Sequence, residues 1–122
     1  MRENKGYKKL IVWEKAHILA TEIYKATKDF PREELYGITS QIRRAAFSVP
    51  LNITEGQASN SKREFLSFLN IANRSLVETE YLLEVALTLC FLTNENYKRL
   101  DGFRHEVGLI LNAFIKSVKI KL

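Results

Sequence analysis

The stretch Ser61-Lys62-Arg63-Glu64-Phe65-Leu66-Ser67-Phe68-Leu69-Asn70-Ile71-Ala72, continued as far as Cys90, decides the fold. Ser61 followed three residues later by Glu64 reads as a capping box: the serine hydroxyl accepts from the Glu64 backbone N–H, and the carboxylate reaches back. Apolar positions then recur at spacings of three and four, as Phe65, Leu69, Ala72, Leu76, Thr79, Leu83, Ala86 and Cys90. That period is helical and not strand-like. It predicts the longest helix of the chain, with Cys90 buried as the last small hydrophobe of its seam.

The same period extends in both directions. Upstream, residues 36–57 carry the seam Ile38, Ile42, Ala45, Ala46, Val49 and Ile53, with Pro50 inside it. Proline has no N–H for the Ala46 carbonyl and crowds it. A kink is expected here, not a break, because Ile53 keeps the register of Val49. Gly56 is expected to open a turn. Residues 10–28 carry Trp13, Ala16, Ala20, Ile23 and Thr27, widened by Val12 and Leu19, and Phe30-Pro31 ends them. Downstream, Thr93 or Asn94 caps a helix with the seam Tyr97, Leu100, Phe103, Val107, Leu111, Phe114 and Val118. Four amphipathic helices on short connections predict a single all-α domain over 1–122. Its expected architecture is an antiparallel up-down-up-down four-helix bundle, with helix 2 kinked at Pro50.

Composition sets the outer limits. The chain has 122 residues, 46% hydrophobic and 27% charged, with five glycines and two prolines. That suits one globular domain and argues against low-complexity or many-turned β architectures. One cysteine excludes an intrachain disulfide. The charged N-terminus has no signal-peptide core and no apolar run approaches a membrane span, so a cytoplasmic, non-membrane protein is expected.

Chemistry is sparse. No glycine-rich phosphate loop occurs. His17 and His105 are the only histidines. Glu14 lies three before His17, and Asp101 four before His105, but the repeated Glu-x-x-His of a di-iron bundle is missing. No metal, no cofactor and no catalytic residue is expected, and the protein is read as non-enzymatic.

Helix 2 carries one constellation. Gln41, Arg44, Ser48, Asn52 and Glu55 follow at spacings of 3, 4, 4 and 3, forming a polar ridge on one flank of the core seam. A ridge beside a core needs partners. One reading is a hydrogen-bonded network to helix 3. In it Ser48 lies opposite about Asn70, Glu55 opposite Lys62 and Arg63, and Asn52 serves the region of the Ala46 carbonyl. The other is a subunit interface or ligand strip. The adjacent arginines can grip a phosphate or pair with Glu78 or Glu80 on helix 3; pairing suits Arg44, whereas Arg43 points to the other flank, toward solvent or a partner, and is a candidate for nucleic-acid contact.

The net charge of +5 is uneven. Residues 61–93 sum to −1 and residues 94–122 to +3. The surplus includes Lys5, Lys8 and Lys9 at one chain end and Lys98, Arg99, Arg104, Lys116, Lys119 and Lys121 towards the other. Because the end of helix 4 lies near the start of helix 1 in this topology, the clusters are expected to merge into one polyanion-attracting patch. Tyr7, Trp13 and Tyr97 are candidates for base stacking there, although the place of Trp13 on the seam suits the core better.

Several blocks together resemble a known family. They are Leu10-Ile11-Val12-Trp13-Glu14-Lys15-Ala16, Phe30-Pro31-Arg32-Glu33-Glu34-Leu35-Tyr36-Gly37, Ser40-Gln41-Ile42-Arg43-Arg44-Ala45, Ser48-Val49-Pro50, Asn52-Ile53-Thr54-Glu55-Gly56 and Phe68-Leu69-Asn70-Ile71-Ala72. This order is similar to the bacterial four-helix-bundle proteins encoded in intervening sequences of 23S rRNA genes. The family commonly has alanine where Thr54 stands and an aromatic where Gln57 stands. The resemblance implies an antiparallel bundle. The family's "ribosomal protein" label follows gene position. Relatives such as the accessory variability determinant of diversity-generating retroelements imply a basic homopentamer acting with a reverse transcriptase and nucleic acid. The partners expected on this basis are further copies of the chain, RNA or DNA, or a protein such as a polymerase.

Overall fold

The computed structural model describes residues 6–122, without the side chains of Lys8 and Lys9, and is helical throughout. Four helices carry it: α1 (Ile11–Ala26), α2 (Ile38–Gln57), α3 (Lys62–Thr88) and α4 (Asn94–Ile120). A 3₁₀ turn over Gly6–Lys9 precedes them, and two more, Thr27–Asp29 and Arg32–Glu34, join α1 to α2. The expected fold class holds. α3 shares its length of 27 residues with α4, so it is not the single longest helix.

The starts follow the local chemistry. Ser61 Oγ accepts from Glu64 N at 3.0 Å. The Glu64 carboxylate reaches one residue further back than a standard box, accepting from Asn60 N at 2.9 Å. Thr93 caps α4 by accepting from Asn96 N at 3.0 Å. Phe30, before Pro31, is extended (φ −68°, ψ 155°), as a pre-proline residue should be.

α2 packs on α1 and α3, and α4 packs on α3 and α1. Contacts descend in register along each pair, as they do between antiparallel neighbours. Arg44 meets Glu78, Ser48 meets Ser75, and Gly56 lies against Phe65 and Phe68. On the other side Glu22 meets Arg99, and Lys15 meets Glu106. The core joins Leu19, Ile23, Ile42, Val49, Ile53, Leu69, Leu83, Leu100, Val107 and Leu111, all within 1% of full burial. Trp13, Phe65, Tyr97, Phe103 and Phe114 border it half-buried, and Leu82 and Ile115 join it although they lie off the seams read from sequence.

One expectation fails at the end of α2. Gly56 does not open a turn; it is buried in the last turn of α2. A Cβ there would stand 2.7 Å from Phe65 Cδ1 and 2.9 Å from Phe68 Cβ. The helix crossing therefore requires a residue with no side chain. α2 runs on through Pro50 without a break, as expected.

Cys90 is exposed, not core. It follows the last turn of α3 in a left-handed conformation (φ 64°). Phe91 N donates to Ala86 O at 2.8 Å and Cys90 N to Leu87 O at 3.0 Å, the paired bonds of a Schellman cap. That position suits glycine, and an L-residue there is strained. Cys90→Gly is therefore expected to raise stability by about 1 kcal/mol in thermal or urea unfolding; an unchanged or lower melting temperature would contradict the strain.

Candidate functional site

The polar ridge of α2 divides into a knitted middle and open ends. Ser48 is half-buried, and its hydroxyl lies 2.8 Å from the Ser75 hydroxyl on α3. Asn52, 9% exposed, donates its amide to Ser48 O at 2.8 Å and to Ser48 Oγ at 3.0 Å. Ser75 O in turn accepts from the Thr79 hydroxyl at 2.8 Å. The register thus puts Ser48 opposite Ser75, about one helical turn from the expected Asn70. Asn52 serves the Ser48 carbonyl, not that of Ala46. Arg44 pairs with Glu78 at 3.3 Å, one of its two expected partners. Gln41 and Glu55 are exposed, and among the described residues neither has a side-chain partner; the expected meeting of Glu55 with Lys62 and Arg63 is not made.

Arg43 departs from expectation. It does not point into solvent. Its Nε donates to Thr27 Oγ1 at 2.7 Å, another N–H donates to Tyr24 O at 3.3 Å, and the guanidinium lies 4.0 Å from the centroid of the Tyr24 ring. The Arg-Arg pair therefore acts as two ties in different directions, Arg43 to α1 and Arg44 to α3. The 100° step between adjacent helical residues is the reason.

The α4 cations expected to share one patch are spread along the helix. α4 is about 40 Å long at 1.5 Å per residue, so Lys98 and Lys119 stand roughly 30 Å apart along it. Arg99 is bound to Glu22 at 2.6 Å. Arg104, 16% exposed in its side chain, holds Asp101 at 2.8 Å and Glu80 at 3.6 Å. Both arginines are thereby partly neutralised. Lys98, Lys116 and Lys119 are exposed. Lys5 and the side chains of Lys8 and Lys9 lie outside the described residues.

The aromatic candidates separate too. Tyr7 meets Trp13 edge-on at 5.1 Å, and Trp13 stacks flat on His17 at 4.9 Å. Tyr97 lies near the other end, where burial first and the nearby Asp101 and Glu84 second raise its hydroxyl pKa. Such acidic surroundings do not suit a polyanion.

Lys62 belongs to a segment, residues 61–93, whose charge sums to −1. It lines a cleft with Lys121, beside the edge-on pair Phe65 and Phe114 at 5.7 Å. Antiparallel pairing of α3 and α4 brings them together, and exposed Lys116 and Lys119 belong to the same end of α4. The signal lay in the topology, not in charge summed by segment. Among the described residues, no three His, Cys, Asp or Glu side chains group as a metal site requires. No helix is long and apolar enough to cross a membrane.

A profile of the family described as 23S rRNA-intervening sequence protein matches residues 8–113. A crystal structure from Bacteroides thetaiotaomicron, of a protein with unknown function from the S23 ribosomal protein family, is similar in fold and sequence. Its TM-score is 0.78 at 29% identity, over 87% of this chain and 99% of that one. No curated protein matches the sequence.

Two predictions follow from these contacts. Asn52→Ala is expected to destabilise by about 1–3 kcal/mol in urea unfolding, since it unmakes two part-buried bonds, whereas Arg44→Ala at an exposed pair should cost under about 1 kcal/mol. Equal losses would refute the division of the ridge. The Arg99 hydrogen bond, foremost, and Lys25 lower the Glu22 pKa below its ordinary 4.5, against some desolvation. A depressed pKa adds stability above the ordinary value that is lost as pH falls through the folded value. Between pH 5 and 3 the stability of Glu22→Gln in urea unfolding should therefore fall less steeply than that of the parent, by an amount on the order of half a kcal/mol for so exposed a pair.

Proposed function

Because this chain belongs to the 23S rRNA-intervening sequence protein family, we propose that it acts as a non-enzymatic, homo-oligomeric helical bundle that binds RNA or DNA through a basic surface. The observation that carries the reading is the set of exposed lysines at one end of the bundle. Lys116 and Lys119 lie in the last turns of α4, and Lys62 and Lys121 share a cleft beside them. They differ from Arg99 and Arg104, whose charge is spent on carboxylates within the chain. Cations that retain their field attract phosphates and release condensed counterions on contact. Oligomerisation would repeat this end around a symmetry axis and add avidity.

A second reading, a scaffold for a protein partner such as a polymerase subunit, draws on exposed apolar side chains. Val77 and Tyr81, one turn apart on α3, are 58% and 64% exposed, and Ile11 and Leu109 are 63% and 62% exposed. Such residues suit a protein interface of either kind, with a further copy or with another chain.

Fluorescence anisotropy with structured RNA and with duplex DNA tests the first reading, with light scattering for subunit number. Micromolar binding that weakens as salt rises is expected. Lys116→Glu with Lys119→Glu should lower the slope of log affinity against log salt by roughly two. Absence of binding at micromolar protein, or binding indifferent to salt, overturns it. A protein partner retained after nuclease treatment would favour the scaffold.

A further inference from the structure

A cleft of about 470 Å³ opens where the end of α1, the linker after it and the first turns of α2 meet. Its walls carry three cations, Lys28, Arg32 and Arg43, and no carboxylate. Arg43 spends two of its N–H groups on Thr27 and Tyr24. A guanidinium has five, so three remain. Thr39 also lines this cleft. It is 3% exposed, and its hydroxyl is the one buried side-chain polar atom without a hydrogen-bond partner among the described residues. Buried polar atoms are nearly always paired, so an orphan beside a cleft marks a contact still to be made. Thr39 stands in the first turn of α2, whose N-cap residue Gly37 offers no side-chain acceptor to the free backbone N–H groups. The positive end of the helix dipole adds to the cations.

We propose that this cleft is a binding site for a phosphate group borne on a small or strand-terminal organic moiety. The cations and the helix start supply the field. The Thr39 hydroxyl supplies a neutral hydrogen bond, and Phe30 and Leu35 offer an apolar wall in a space larger than a bare phosphate needs. Two sources share this chemistry: a free phosphomonoester such as a mononucleotide, and the terminal phosphate of a nucleic-acid strand. The site lies at the opposite end of the bundle from Lys62 and Lys121. It is independent of the surface proposed above, because inorganic phosphate tests it without base or strand.

The test is an NMR titration of the full chain, following the amides of Arg32, Ile38 and Thr39. Probes are inorganic phosphate, adenosine monophosphate, adenosine, and one short oligonucleotide with and without a 5′-phosphate. Saturable shifts at these amides are expected with phosphate and the monophosphate, and none with adenosine. Thr39→Val should weaken binding about tenfold, the worth of one hydrogen bond to a charged group. Its unliganded melting temperature should stay level or rise, because the hydroxyl it removes has no partner. Lys28→Gln with Arg32→Gln, at solvent-facing positions, should weaken binding further while leaving the fold intact. Preference for the 5′-phosphorylated oligonucleotide over the monophosphate assigns the strand end, and the converse assigns the free phosphomonoester; either supports the site. Absence of saturable shifts, adenosine binding as well as its monophosphate, or undiminished affinity in both variants overturns it.

Discussion

The close approach of α2 to α3 governs the rest of the structure. At its lower end Gly56 admits Phe65 and Phe68 to within a distance that any Cβ would block. Further along, Ser48 and Ser75 join hydroxyls across the seam, and Arg44 reaches Glu78. A crossing this tight leaves no room for larger polar groups, so the polar atoms inside it must satisfy one another. Asn52 does so within its own helix, turning back onto Ser48. The seam sets the register of α3, and α3 sets that of α4 through Phe65 with Phe114 and Glu80 with Arg104.

Register then decides which charges are free. Arg99 and Arg104 face carboxylates on α1, α3 and their own helix, so these two cations serve the bundle itself. Lys62, Lys116, Lys119 and Lys121 pair with no carboxylate among the described residues and keep their fields, unlike Lys25, which meets Glu22 at 3.5 Å. Positive charge gathers at both ends, in Lys62, Lys116, Lys119 and Lys121 at one and in Lys28, Arg32 and Arg43 at the other. The waist between is occupied by ion pairs.

The four helices were legible because burial imposes a 3.6-residue period that a sequence displays directly. Caps were legible for a similar reason: Ser61 and Thr93 act on residues three positions away. Cys90 was misread because its apolar neighbours continue the seam by one more turn while the backbone has already left the helix. Lys62 was overlooked because its significance lies in Lys121, 59 positions away in sequence. Of the polar ridge, the periodicity was plain and the partners were not, since an error of one turn in the register of α3 exchanges Asn70 for Ser75.

The sequence by itself determined the helices, their order, most of their buried faces, and the family to which the chain belongs. These depend on local periodicity, capping and the spacing of residues within short blocks. Tertiary structure alone decided which polar residues pair, which cations remain available, and that Thr39 ends beside three positive side chains with its hydroxyl unused. Such outcomes depend on angstrom-scale register between segments distant in sequence. A helical period fixes that register only to within a turn, and the contact at Gly56 fixes the remainder.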